Sequence, residues 1–140
     1  MTVSLTVAIT IVAAALAAAA VIGVQLKRRS GVLREVTDGA ELDTSDLGLS
    51  RTGPTVVHFS AVWCGPCAAV RQVVNQVCGE LPDVAHVEID MDVNPIAARH
   101  LSVLSLPTTF IFDADGRQRY RTAGVPRRAN LRAALQPLLA

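Results

Sequence analysis

The chain opens on an uninterrupted apolar run. From Val3 to Leu26 no side chain is charged, a stretch of 24 residues. About 20 such residues cross the hydrocarbon core of a bilayer as a helix. Ser4, Thr6, Thr10 and Gln25 dilute the run without giving it a polar face, which a water-soluble helix of this length needs. Residues 30–53 are richer in Gly, Asp, Ser and Thr and mark a linker that turns gradually into domain. Within it, Val32–Val36 suits a short edge strand. Asp43–Ser50 suits a short helix capped by Asp43 or Thr44 and weakened by Gly48.

From Thr55 the pattern becomes regular. TVVHFS, Thr55–Ser60, is an apolar, β-branched run of strand length. Val70, Val73, Val74, Val77 and Leu81 recur at helical spacing and predict a helix from Cys64 to Leu81, ended by Gly79 and Pro82. AHVEID, Ala85–Asp90, is a second strand. Asn94 as N-cap and Pro95 at the first helical position open a second helix, to about Leu101. TTFIF, Thr108–Phe112, is a third strand, DADG a hairpin turn, and RQRYRT the returning strand. Leu131, Leu135 and Leu138 place a helix over Arg127–Leu139. The order strand, helix, strand, helix, strand, strand, helix predicts an α/β domain with a mixed sheet and helices on both faces. The chain thus divides into an anchor over 1–29, a linker over 30–53 and a domain over 54–140.

Composition changes the picture in two places. Hydrophobic residues make up 51% of the chain and the mean hydropathy is +0.39, high values that the N-terminal run accounts for. The net charge of +1 gives no electrostatic footprint for nucleic acid. A cleaved signal peptide would begin with basic residues, and none precedes the run, so an uncleaved membrane anchor is expected. Lys27, Arg28, Arg29 and Arg34 flank its C-terminal side. By the positive-inside rule they place the following domain in the cytoplasm, the extracytoplasmic side being the alternative. After Asp115 the chain carries Arg117, Arg119, Arg121, Arg127, Arg128 and Arg132 and no acid. That is a solvated face or a contact with anionic lipid headgroups.

The candidate chemistry lies in WCGPC, Trp63–Cys67. Structural zinc needs four ligands, and Cys78, His58, His86 and His100 form no paired motif with it, so no metal is expected. Two inert thiols are a weak alternative for a pair that opens a helix directly after a strand. Redox chemistry suits the placement. Cys64 at a helix's first turn meets unpaired N–H groups that favour a thiolate, and Cys67 lies one turn on, in disulfide reach. Gly65 admits a partner, and Pro66 is tolerated in a first turn. Cys78, fourteen residues past Cys64, is out of reach along a helix and suits a packed core thiol.

WCGPC after an apolar strand, followed by LPTTFIF at Leu106–Phe112, resembles the thioredoxin family over about Thr55–Leu139. The resemblance implies a thioredoxin-like fold and thiol–disulfide exchange, with Cys64 as nucleophile and Cys67 as resolving thiol. It implies a cis Pro107 facing the pair, and a substrate groove formed with Trp63, Gly65, Pro66, Leu106 and Gly124. Disulfide-containing protein substrates and an electron-donating reductase are the implied partners, with no cofactor. A tethered redox sensor without turnover is the competing class. Two positions depart from the family pattern. His58 stands where the family commonly keeps a buried Asp, and Glu88 where it keeps a Lys. They are candidates for an exchanged acid–base pair in which Glu88 steadies a protonated His58. A core histidine bonded to backbone is the plainer alternative. Ser60 replaces a common aromatic residue, which implies a more polar floor.

Overall fold

A computed structural model of the chain describes residues 2–37 and 43–140. They fall into two compact units, 1–30 and 31–140. The first is one helix, α1 (Thr2–Arg29), 28 residues long. Its Ser4–Arg29 portion is long and apolar enough to cross a membrane. The Thr10 hydroxyl donates within the helix, to the Val7 carbonyl at 2.8 Å and the Thr6 carbonyl at 3.1 Å, so it is satisfied without water. Lys27, Arg28 and Arg29 occupy the last turn, where cations suit the helix dipole.

In the second unit, five strands among the described residues form one mixed sheet in the order β1-β5-β4-β2-β3. The strands are β1 (Arg34–Glu35), β2 (Thr55–Ser60), β3 (Ala85–Asp90), β4 (Thr108–Phe112) and β5 (Gln118–Ala123). β2 pairs parallel with β3 and antiparallel with β4. Helices α2 (Cys67–Glu80), α3 (Pro95–His100) and α4 (Arg128–Leu135) pack around it. All six residues of β2 are buried, as expected of a strand covered on both faces. Val56 and Ile111 meet Val70, Val74 and Val77 of α2 and Leu131 and Leu135 of α4 on one face. Val57, Phe59, Phe110 and Phe112 meet Leu47, Ala98 and Leu101 on the other.

Residues 31–37 and 43–53 take part in this fold. β1 pairs with β5, and a 3-10 turn at Ser45–Leu47 delivers the buried Leu47 to the core. The expected helix at Asp43–Ser50 is reduced to that turn, ended by Gly48 at φ 66°. The DADG hairpin closes with the Gly116 N–H donating to the Asp113 carbonyl at 3.0 Å. Four of the six C-terminal arginines are engaged inside the unit. Arg128 and Arg132 pair with Glu80, and Arg119 pairs with Asp113. Arg121 donates to the Leu101 and Ser102 carbonyls at 3.0 and 2.6 Å and lies over the Phe110 ring.

Candidate active site

The end of β2 delivers the cysteine pair. Cys64 and Cys67 form a disulfide, with Cα atoms 5.5 Å apart. The predicted helix start is corrected here. α2 begins at Cys67, with Pro66 as N-cap at φ −69°. The Pro66 carbonyl is the first acceptor, taking N–H bonds from Ala69 and Val70. Cys64 therefore lies in the turn ahead of the helix, beyond its electropositive end, with its N–H donating to the Ala61 carbonyl at 3.0 Å. The two sulfurs are not equivalent. Cys64 is half-buried, while Cys67 is 2% exposed, its Sγ lying 3.9 Å from the Phe59 carbonyl oxygen.

Two of the expected groove residues, Pro107 and Gly124, are joined backbone to backbone. The Leu106–Pro107 peptide is cis. The Pro107 carbonyl accepts from the Gly124 N–H at 2.9 Å, and Gly124 sits at φ 88°, where a side chain would be strained. Trp63 is exposed, its indole N–H donating to Asp92 Oδ2 at 3.0 Å. Gly65 faces open space, with nothing within 4 Å of where a Cβ would stand. Val62, Val93 and Leu104 are exposed apolar side chains, at 93%, 74% and 92%. They adjoin Trp63, Asp92 and the Leu106 loop in the chain.

The polar groups under the pair are arranged differently from the expected pair of His58 and Glu88. Glu88 Oε1 lies 3.5 Å from His58 Nε2, but its charge is taken elsewhere. Arg71 grips both carboxylate oxygens, with Nε donating to Oε2 at 2.7 Å. Ser60 Oγ donates to Oε1 at 2.8 Å. The Arg71 hydrogen bonds are the main cause that holds the Glu88 pKa down to about 2. His58 is fully buried. That burial, against the weaker pull of Glu88, lowers its pKa to about 4. That lowering runs against the expected protonated His58 and favours a neutral ring. Its Nδ1 lies 2.8 Å from His86 Nε2. Ser60 makes the floor polar, as its type suggested.

Sequence reasoning missed His86, Arg71, Asn75 and Asp92. Their roles follow from register and helix facing, and only the H-x-E spacing of His86 and Glu88 on one face of β3 gave a signal. Cys78 is unpaired and half-buried against the α2–α4 core, and burial raises its pKa. Among the described residues, no group of three or more His, Cys, Asp or Glu is placed to hold a metal.

A half-buried cysteine, a buried partner one turn on and a cis-proline ahead of β4 define a thiol–disulfide oxidoreductase of the protein-disulfide reductase kind. Residues 44–137 match the family model for thioredoxin. The chain is 39% identical over 99 residues to a thioredoxin of Mycolicibacterium smegmatis, covering 69% of this chain and 85% of that one. It is 36% identical over 105 residues to a bifunctional thioredoxin reductase/thioredoxin of Mycobacterium leprae, covering 74% of this chain and 22% of that one. A variant thioredoxin from Halobacterium salinarum superposes with a TM-score of 0.59 at 31% identity, covering 65% of this chain and 79% of that one. The chain belongs to the thioredoxin family.

Proposed function

We propose that this protein is a membrane-tethered protein-disulfide reductase whose catalytic unit works on the cytoplasmic side. The observation that carries the chemistry is the unequal burial of the Cys64–Cys67 pair. A substrate disulfide reaches Cys64, whose thiolate forms the mixed disulfide. Cys67, shielded from solvent, then attacks Cys64 and releases the reduced substrate. The apolar side chains left exposed at Val62, Trp63, Val93 and Leu104 suit a polypeptide substrate that covers them. The tether is supported by the length and apolarity of α1, and the orientation by Lys27–Arg29 at its C-terminal end. A reductase of the kind fused to the M. leprae relative suits the electron-donor role.

The test is reduction of insulin disulfides by the full-length chain in detergent, with a dithiol donor. Turnover is expected for the wild type and none for Cys64→Ser. Cys67→Ser should accumulate a mixed disulfide that a reductant releases. A wild type that binds partners in a redox-dependent way but does not turn over would leave a tethered sensor instead.

A further inference from the structure

The chain joins the sheet almost as soon as α1 ends. Ser30 alone stands between α1 and Gly31. Gly31 is buried, and its N–H donates to the Ala123 carbonyl of β5 at 2.6 Å. A Cβ on Gly31 would stand 2.1 Å from the Val125 carbonyl oxygen, and its φ of 78° strains any residue with a side chain. Gly31 is thus pressed against both chain neighbours of Gly124, whose own N–H donates to the carbonyl of the cis Pro107. Beyond Gly31 the chain stays fastened. Arg34 and Glu35 pair with Arg121 and Tyr120. The Val36 N–H donates to the Arg119 carbonyl at 2.9 Å, and Leu33 packs against the core under α2 and α4. Of the expected linker, only Ser30 precedes the sheet.

This fastening falls at the redox end of the sheet. β2 ends towards the cysteine pair. β4 runs antiparallel to β2 and β5 antiparallel to β4, so β4 begins and β5 ends at that edge of the sheet. β1 runs antiparallel to β5 and therefore starts there as well. One row of partners marks the line. Ala123 stands opposite Thr108, Thr108 opposite Phe59, and the Phe59 carbonyl oxygen lies 3.9 Å from Cys67 Sγ. Neighbouring strands lie about 4.8 Å apart, so Ala123 is roughly 10 Å from Phe59, and Gly31 one further spacing away. Entry at the other end of β5, near Gln118, would add about 17 Å along the strand.

We infer that this short, fastened connection makes the protein selective for disulfides held close to the bilayer surface, as in the membrane-proximal segments of other membrane proteins. The inference rests on the tether and the dithiol exchange proposed above. From Arg29 to Gly31 the chain takes two Cα steps of about 3.8 Å each, which leaves little slack between the span and the redox end. A disulfide near the surface of the same membrane meets Cys64 at the raised effective concentration that a short link provides. One displayed far above that surface lies beyond the link's reach. A flexible linker over the whole of 30–53 would have served both. Gly31 is a positioning residue in this arrangement. It touches no substrate, and sets where the redox end can go.

The experiment uses the full-length chain in lipid vesicles, reduced beforehand and freed of reductant, so that each molecule delivers one turnover. The substrates are two synthetic transmembrane helices in the same vesicles. One carries a disulfide loop directly after its span. The other carries the same loop at the end of a helical extension of about forty residues, which lifts it about 60 Å. The near loop should be reduced about tenfold faster or more. Insertion of about thirty Gly and Ser residues between Ser30 and Gly31 adds a flexible link of about 30 Å and leaves the docked strand intact. It should raise the rate on the far loop severalfold and narrow the ratio. Both proteins should reduce insulin in detergent at one rate, which separates reach from chemistry. Equal rates on the two loops for the wild type, or a ratio that the insertion does not change, overturns the inference. A wild type inert towards insulin refutes the exchange reading, and one that alkaline carbonate strips from the vesicles refutes the tether; either removes this selectivity as well.

Discussion

Arg71 decides how the ionisable groups beneath the disulfide divide their charge. Its guanidinium matches the carboxylate of Glu88 two bonds to two, a geometry stronger than a point contact. Its own charge also disfavours a proton on His58. Arg71→Met removes both effects. The His58 pKa is then expected to rise above about 4 and that of Glu88 above about 2; an NMR titration in which His58 does not move would refute this division of charge. The depressed His58 value also links folding to pH. Between its ordinary 6.5 and about 4 the unfolded chain holds a proton that the fold does not. Stability should therefore fall as pH drops through that window, by at most about 3 kcal/mol. Glu88 acts lower, its contribution fading as pH falls from 4.5 towards about 2. Urea unfolding of His58→Gln across pH should flatten the upper part of the slope, leaving the share that the lowered His86 pKa supplies, and keep the lower part. At this scale the sequence was legible where chemistry is local: WCGPC, Pro107 and Gly124 announce themselves. His86, Asn75, Arg71 and Asp92 do not, because a strand register and a helix face bring them together across 11 to 29 positions of chain.

Among the elements, β2, β3 and β4 fall at the predicted residues, since β-branched runs between turn signals leave little choice. α2 starts three residues later than its apolar period suggested. Periodicity marks the buried stripe, whereas the first backbone bond is set by the Gly65–Pro66 turn, which no period reports. α3 does begin at Pro95, yet Asn94 makes no side-chain cap, its amide reaching only the Asp90 carbonyl at 3.5 Å. The end of α3 is instead held from outside. Arg121 on β5 donates to the Leu101 and Ser102 carbonyls, and Ser102 takes φ 51° as the chain turns towards Leu106 and Pro107. Arg121→Ala deletes two charge-assisted bonds and the packing on Phe110, at an expected cost of about 1–2 kcal/mol. Because the loop it holds carries the groove, KM for a protein disulfide should rise more than kcat falls. Unfolding and steady-state kinetics on one preparation check both parts, and an unchanged KM would show that the loop keeps its shape without Arg121.

For the whole molecule, the proposed tether makes a checkable claim about the side of a membrane on which the catalytic unit works. α1 has the length and apolarity of a span, and the hydroxyl-to-carbonyl bonds of Thr10 leave that group satisfied without water. Basic residues within the last turn of such a helix resist translocation, so Lys27, Arg28 and Arg29 support the proposed cytoplasmic orientation. The cysteines supply their own reporter. Cys64 is the reachable thiol of the pair, and Cys78, half-buried, is removed by Cys78→Ser so that labelling reads the active site alone. After reduction with a permeant dithiol, an impermeant maleimide should leave this variant unlabelled in right-side-out membrane vesicles and label it in inside-out ones. Replacing Lys27, Arg28 and Arg29 together by Gln should weaken the bias and let a fraction label from the outside. Efficient labelling of the parent in right-side-out vesicles would reverse the orientation. The unit would then face an oxidising compartment, and its electrons would have to arrive through the membrane instead of from a soluble reductase.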